Sequence, residues 1–285
     1  MLIDKCLLDC ERRVLKKSPT IYYCFKDLPL AKKYSVYVLY SFCFEIKKII
    51  DGDNGAHKLD KLESKLLEFQ NEKNINDPLW KGLRKVFNVY DMSIQPFKDM
   101  INAKRFDLKQ DNMISMNDLL EYCYYAGSSK GFMLMPILER DKLSSDDKTR
   151  LKDVVSDIWR GLCLINILKD LNYDLKKERI FIPDLLFLRF KYSIDDFKKG
   201  IINDNFINIW EYIASYAVNY ISSAEENLDV FSIDCVESVK LMIQDHKMIL
   251  DEIRINRYNY SSASFDIIRS FKRFNVKLAP SLNLK

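Results

Sequence analysis

The sequence predicts an all-α protein, and three observations carry that prediction. The 285 residues include only 7 Gly and 7 Pro, about half the average usage of each, and strand-built folds need many more turn residues. Apolar positions recur at i, i+3, i+4 and i+7 along most of the chain. The apolar fraction of 48% and charged fraction of 30% supply a core and still cover the solvent faces of helices. Lys+Arg 45 against Asp+Glu 41 leaves +4 with the two signs interleaved. That balance lacks the concentrated basic face of a nucleic-acid binder, so no nucleic-acid partner is expected.

The elements follow in order. Residues 2–16 put Leu2, Ile3, Cys6, Leu7, Cys10 and Val14 on one helical face. Pro19 and Pro29 punctuate the next stretch. A helix then runs from Leu30 to Asp51 without Gly or Pro, until Gly52-Asp53-Asn54-Gly55 stops it. Residues 57–72 form an amphipathic helix on Leu59, Leu62, Leu66, Leu67 and Phe69, with His57 a solvated residue at its start. Asp77-Pro78 reads as an N-cap with Pro at the first helical position, opening 78–90. Ser93 can cap 95–105. Ser115 or Asn117 opens a helix over 118–138, interrupted at Ala126 to Gly131. Ser145-Asp146-Asp147 opens a long helix from 146 to about 173. Shorter helices follow at Pro183-Asp184 and 195–201, then longer ones at 205–229 and 232–252. A basic, aromatic tail runs from 261 to 278. No repeat or linker divides the chain, so the expectation is one domain, 1–285, of about ten helices.

Seven cysteines, an odd number, are scattered among apolar neighbours. They read as reduced core thiols, and Cys6 and Cys10 lack the partner ligands of a zinc site. No run of 18 apolar residues suggests a membrane span. Acids lie within the first ten residues, unlike a signal or transit peptide. A cytoplasmic location is expected, with a peripheral membrane contact through the tail residues Arg269, Lys272, Arg273 and Lys277 as a further expectation.

The most informative stretch is GLCLINILKDLNYDLKKERIFIP, Gly161 to Pro183. Asn166, Asp170 and Asp174 are spaced one helical turn apart and stack on one face, flanked by Leu162, Ile165, Ile167, Leu168 and Leu171. Carboxylates so placed suit Mg²⁺, which takes one or two protein carboxylates and fills its other positions with water and phosphate oxygens. Spacing alone equally allows an ordinary surface helix whose acids pair with Lys169 and Lys177.

This stretch resembles the second acidic motif of the squalene/phytoene synthase family, the head-to-head trans-isoprenyl diphosphate synthases. Asn166, Asp170, Asp174, Arg179, Phe181 and Pro183 match it in register. Ser18-Pro19-Thr20-Ile21-Tyr22-Tyr23 with Leu28-Pro29 is similar to the family's N-terminal polar segment. Tyr40-Ser41-Phe42-Cys43 is similar to the lead into its first acidic motif. Ala103 to Asp107, Tyr122 to Gly127 and Ile249 to Arg254 are similar to later segments, in the family's order. The resemblance implies an isoprenoid synthase-type helical bundle around a central cavity. It implies a prenyl diphosphate of the farnesyl or geranylgeranyl class as partner, Mg²⁺ as cofactor, and Asn166, Asp170 and Asp174 as metal-binding and catalytic residues. Lys47, Asp51, Ser18, Thr20, Arg179, Tyr125 and His246 fall at substrate-binding positions.

The first acidic motif departs from the family. Lys47 and Lys48 stand where two leading Asp residues belong, Phe44 stands at an Arg position, and only Asp51 stays. Cys163 takes the place of a Gln, Lys169 of an Arg and His246 of a Tyr. The three acidic positions go from −3 to +1 and the lost Arg offsets one unit, so this side is about three units more positive than the family pattern. Lys47 and Asp51, four apart, are expected to pair with each other. Either a lysine here binds a diphosphate directly as a point charge, or it is a solvated face left after the site was lost. Three functions follow. The first is a prenyltransferase with a one-diphosphate site and a non-standard acceptor. The second is a catalytically reduced member acting as a binding or assembly protein, and the third a non-catalytic isoprenoid binder. Chain length, product and oligomeric state are not encoded in these motifs.

Overall fold

A computed structural model describes residues 3–109 and 113–259. Thirteen α-helices carry the described chain. They are α1 (Lys5–Lys17), α2 (Pro19–Phe25), α3 (Leu30–Asp51), α4 (Gly55–Gln70), α5 (Pro78–Phe87), α6 (Gln95–Lys109), α7 (Met116–Cys123), α8 (Ser129–Leu138), α9 (Ser145–Leu175), α10 (Asp184–Arg189), α11 (Ile194–Lys198), α12 (Asp204–Glu225) and α13 (Ile233–Ile255). A π turn at Tyr124–Ser128 joins α7 to α8, and a 3₁₀ turn at Leu228–Val230 precedes α13. Among the described residues the sole β pairing is an isolated bridge between Glu139 and Phe231.

Local chemistry accounts for most boundaries. Asp77 accepts from the amides of Leu79 and Trp80, with Pro78 in the first turn, as the sequence predicts. Ser115 and Asp118 form a reciprocal capping box that starts α7. Ser193 caps α11 through the amide of Asp196. Ser144, one residue earlier than expected, caps α9 through the amide of Asp147 at 3.1 Å. Pro19, which punctuates the chain after α1, opens a short helix of its own, because the missing proline amide is unneeded in a first turn. The stretch 118–138 divides at the π turn, so the helices outnumber the ten expected.

The core is built around α9. Its 31 residues span about 46 Å and are apolar on most faces between Leu151 and Leu171, so neighbours cover it on several sides. Helix α12 lies along one flank, α8 and the π turn along another, and α13 and α7 also touch it. Two glycines permit the close approaches. A Cβ on Gly161 would lie 2.9 Å from the backbone oxygen of Ala217 on α12. A Cβ on Gly127 would lie 2.7 Å from the carbonyl oxygen of Trp159 on α9. The buried Ser128 hydroxyl donates to the carbonyl of Ser156 at 3.0 Å, which ties the π turn to α9. Helices α3, α1, α5 and α6 complete a continuous apolar cluster that extends from Cys6 to Ile253. All seven cysteines are free thiols, five of them buried. No helix among the described residues is long and apolar enough to cross a membrane. The basic tail lies outside the described residues.

Candidate active site

The acidic row of α9 and the end of α3 meet through a chain reversal. At the C-terminus of α9, Glu178 takes a left-handed conformation with φ 57°. Its amide bonds the carbonyl of Leu175, and the next amide, that of Arg179, bonds the carbonyl of Asp174, both at 2.9 Å. This is a Schellman closure, and its consequence is local. It folds Arg179 back over the helix it follows, so the guanidinium meets the Asp174 carboxylate at 3.0 Å.

The same guanidinium donates to Asp51, the last residue of α3, at 3.4 Å. The Lys177 ammonium donates to the backbone oxygen of Asp51 at 3.0 Å. Burial and the neighbouring Asp51 carboxylate hold the Tyr173 hydroxyl above its ordinary pKa. Arg179 therefore clasps one carboxylate from each of the two facing motifs, and it is 9% exposed. Burial opposes its charge, but Asp174, Asp107 and Asp51 hold its pKa above the ordinary value. Burial pushes Asp174 up to about 6 against the Arg179 charge, with Asp170 adding like-charge repulsion.

The lysines do not take the expected places. The predicted Lys47–Asp51 pair does not form: Lys47 lies over the Tyr173 ring at 5.2 Å, while Asp51 faces Arg179. A buried guanidinium with two carboxylate partners outcompetes an exposed helical i, i+4 pair, which is worth only a few tenths of a kcal/mol. Lys48 points outward, 3.9 Å from Glu45. Asp170 has Lys169 at 3.6 Å. Asn166 donates its amide nitrogen to the carbonyl of Leu162 at 2.9 Å, so that nitrogen is spent on its own helix while the amide oxygen is not.

A second charged group lies alongside. Lys104 on α6 donates to Asp107 at 2.7 Å and to the Tyr122 hydroxyl. Burial opposes its charge, and Asp107 beside it holds its pKa above the ordinary lysine value, with Asp174 contributing in the same sense. One oxygen of Asp107 is buried without a partner. Sequence reading placed Ala103 to Asp107 in a family segment but gave no role to Lys104, because an interior lysine carries no periodic signal. Tyr173 was missed because its contact with Lys47 joins two helices distant in sequence.

The other expected substrate residues lie on other elements. Ser18 sits between α1 and α2, and Thr20 lies on α2, which packs against α1, α3 and α13. Tyr125 is 42% exposed with its ring edge against Tyr124, whereas Tyr122 is the buried tyrosine of that segment. His246 is buried on α13, its Nδ1 2.8 Å from the carbonyl of Met242.

Residues 14–277 match the sequence profile described as Squalene/phytoene synthase. The chain belongs to this family. It is 27% identical over 258 residues to the farnesyl diphosphate phosphatase YisP of Bacillus subtilis, covering 90% of this chain and 91% of that protein. It is 28% identical to a 15-cis-phytoene synthase of Synechococcus elongatus, covering 88% and 84%. Among solved structures, a dehydrosqualene synthase in complex with a ligand superimposes with a TM-score of 0.87 at 28% identity, over 95% of this chain and 94% of that one. The expected isoprenoid synthase fold is thereby established.

Members of the family use divalent metal ions, and the donors present here set how much metal would fit. Of the three acidic-motif positions on α3 only Asp51 keeps a carboxylate, and the Arg179 guanidinium donates to it at 3.4 Å. Among the described residues no group of three or more His, Cys, Asp or Glu side chains is arranged to hold a metal. A cluster bridging both motifs therefore does not fit. A single Mg²⁺ needs only one or two carboxylates when phosphate oxygens complete its shell; Asp170, with Asn166 on the same face of α9, offers a donor set for one, and Asp174 joins it only by exchanging its Arg179 partner.

Proposed function

We propose that this protein is a prenyl-diphosphate-processing enzyme that handles one diphosphate per turnover and passes the allylic chain to an acceptor without a diphosphate, water being the simplest. The observation that carries this reading is the Arg179 clasp between Asp51 and Asp174, with Lys47 and Lys177 beside it. Where the family pattern has acids facing acids across a metal cluster, this chain has cations already in place. One diphosphate of the farnesyl or geranylgeranyl class would find donors there. A second diphosphate would need metal that the α3 side cannot hold. The relative named as a farnesyl diphosphate phosphatase supports the reading, since its name describes hydrolysis of a single prenyl diphosphate.

In the proposed step the allylic carbon–oxygen bond breaks and its electron pair leaves with the diphosphate. Arg179, Lys47 and Lys177 balance the charge that develops on the leaving oxygens. Mg²⁺ bound at Asn166, Asp170 and Asp174 would supply further charge neutralisation there. Water forms the new carbon–oxygen bond and releases a proton, so farnesyl diphosphate and water give a C15 alcohol and inorganic diphosphate.

The test is incubation of the full chain with farnesyl or geranylgeranyl diphosphate in ¹⁸O-water, with and without Mg²⁺. The expected outcome is one diphosphate released per alcohol, with ¹⁸O in the alcohol and no C30 or C40 hydrocarbon. A head-to-head hydrocarbon would overturn the one-diphosphate reading. Absence of any release, with Asp170→Ala no different from wild type, would leave the binding or assembly functions in its place.

A further inference from the structure

Helices α10 and α11 and the loop after them form a small lobe whose apolar residues divide into two sets. Phe187, Tyr192 and Phe197 are buried, with the Phe187 ring 6.1 Å from that of Tyr192 and 5.6 Å from that of Phe197. Tyr192 and Phe197 also pack on Phe206, which fixes the lobe to α12. The second set faces solvent. Leu188 is 74% exposed and Ile114 62% exposed, and Leu185, Ile201 and Ile202 are exposed as well. Backbone bonds bring this second set together. The Leu185 amide donates to the Ile114 carbonyl at 3.0 Å, and the Lys191 amide to the Leu188 carbonyl at 3.2 Å. The Tyr192 hydroxyl donates to the Ile201 carbonyl at 2.6 Å. Leu188 follows Leu185 by three residues and so shares its face of α10.

The charges of the lobe are sorted as well. Asp184, Asp195, Asp196 and Asp204 stand in the first turns of α10, α11 and α12, where helix amides complement a negative charge. Arg189, Lys191, Lys198 and Lys199 are exposed, and among the described residues no carboxylate lies within ion-pairing distance of them. Arg189 instead lies over the Tyr212 ring at 4.5 Å. Exposed aliphatic side chains beside unpaired cations suit the headgroup region of an anionic bilayer. The aliphatic groups enter the acyl boundary, while long apolar stems let the cations stay level with the phosphates. A protein partner suits the lobe less well. A standard protein interface takes about 20–30 residues a side, whereas a bilayer demands no complementary shape.

We propose that the α10–α11 lobe docks this protein on an anionic lipid surface. Leu185, Leu188 and the neighbouring isoleucines enter the interface, and Arg189, Lys191, Lys198 and Lys199 meet the lipid phosphates. This surface is distinct from the basic tail from which the sequence predicts a membrane contact, and it does not rest on the one-diphosphate reading.

The experiment is co-sedimentation of the full chain with vesicles of phosphatidylcholine alone and of phosphatidylcholine with phosphatidylglycerol. Binding to the anionic vesicles is expected to be about tenfold tighter or more. The pair Leu185→Ser, Leu188→Ser and the pair Lys198→Glu, Lys199→Glu are each expected to weaken it about tenfold, with thermal unfolding unchanged. Leu188→Trp is expected to shift its emission to the blue on anionic vesicles, a signal readable because Trp80, Trp159 and Trp210 are all buried. Absence of wild-type binding, equal binding by both pairs, or an unshifted emission overturns the proposal. Loss of binding in Arg269→Glu, Lys272→Glu with the lobe variants unaffected also overturns it, and moves the contact to the tail. A wild type that elutes as a dimer, against a monomeric Leu185→Ser, Leu188→Ser, overturns it in favour of a second copy of this chain on the lobe.

Discussion

Arg179 reaches carboxylates on two helices that are distant in sequence, and its removal tests how much of the α3–α9 contact is electrostatic. In Arg179→Met, Asp174 stays largely buried and loses its cation. Breaking a buried pair from one side costs about 3–5 kcal/mol, and the partial exposure of Asp51 softens that toward about 2–4 kcal/mol. Urea unfolding measures it, and a loss below half a kcal/mol would show that the clasp is not structural. Asp174 itself sets a pH dependence. Its folded pKa is about 6 against 3.8 for the free carboxyl, so the folded state binds the extra proton between those values. Stability therefore falls as pH rises through that window, by at most about 3 kcal/mol for two units. Asp174→Asn is expected to flatten the slope in a urea midpoint series recorded in EDTA, and identical slopes would place the buried charge elsewhere. The residue identities were legible in the sequence, but not the pairing. Helical spacing put Lys47 within reach of Asp51, and only the chain reversal at Glu178 shows that Arg179 arrives there first.

Among the elements, α9 was read almost to its ends, because a mostly apolar run between an acidic start and a polar turn leaves few alternatives. Its packing distance to α12 was not legible. Gly161 sets that distance, since a Cβ there would lie 2.6 Å from the Ile221 side chain and 2.9 Å from a backbone oxygen that cannot yield. Gly161→Ala gains helix propensity of about 1 kcal/mol but forces α9 and α12 apart at Ala217 and Ile221. Overpacking costs of about 1–3 kcal/mol are expected to win, giving a net loss seen in thermal or urea unfolding. A more stable variant would show that α12 has freedom to move. The π turn is a similar case. The Ala126 to Gly131 run signalled an interruption, but its geometry comes from Ser156 and Trp159 on another helix.

For the whole molecule, the charge reversal at positions 47 and 48 predicts metal stoichiometry. With a non-hydrolysable prenyl diphosphate analogue present, wild type is expected to bind one Mg²⁺ per chain in calorimetry. The double substitution Lys47→Asp, Lys48→Asp returns two acids to the α3 side and is expected to raise that number while weakening analogue binding in EDTA by tenfold or more. A wild type that already binds two or more Mg²⁺ would remove the basis for the one-diphosphate reading.

Composition and periodicity by themselves determined the all-α class, most helix positions and the caps at Asp77, Ser115 and Ser193, because these depend on neighbours within a few residues. The order of the motifs identified the family, and the two lysines in the first motif marked the departure from it. Tertiary structure alone decided which charges neutralise one another. That Arg179 binds Asp51 and that Lys104 turns inward to Asp107 and Tyr122 both follow from where helices cross, and each of these cations settles where burial leaves it the best partner.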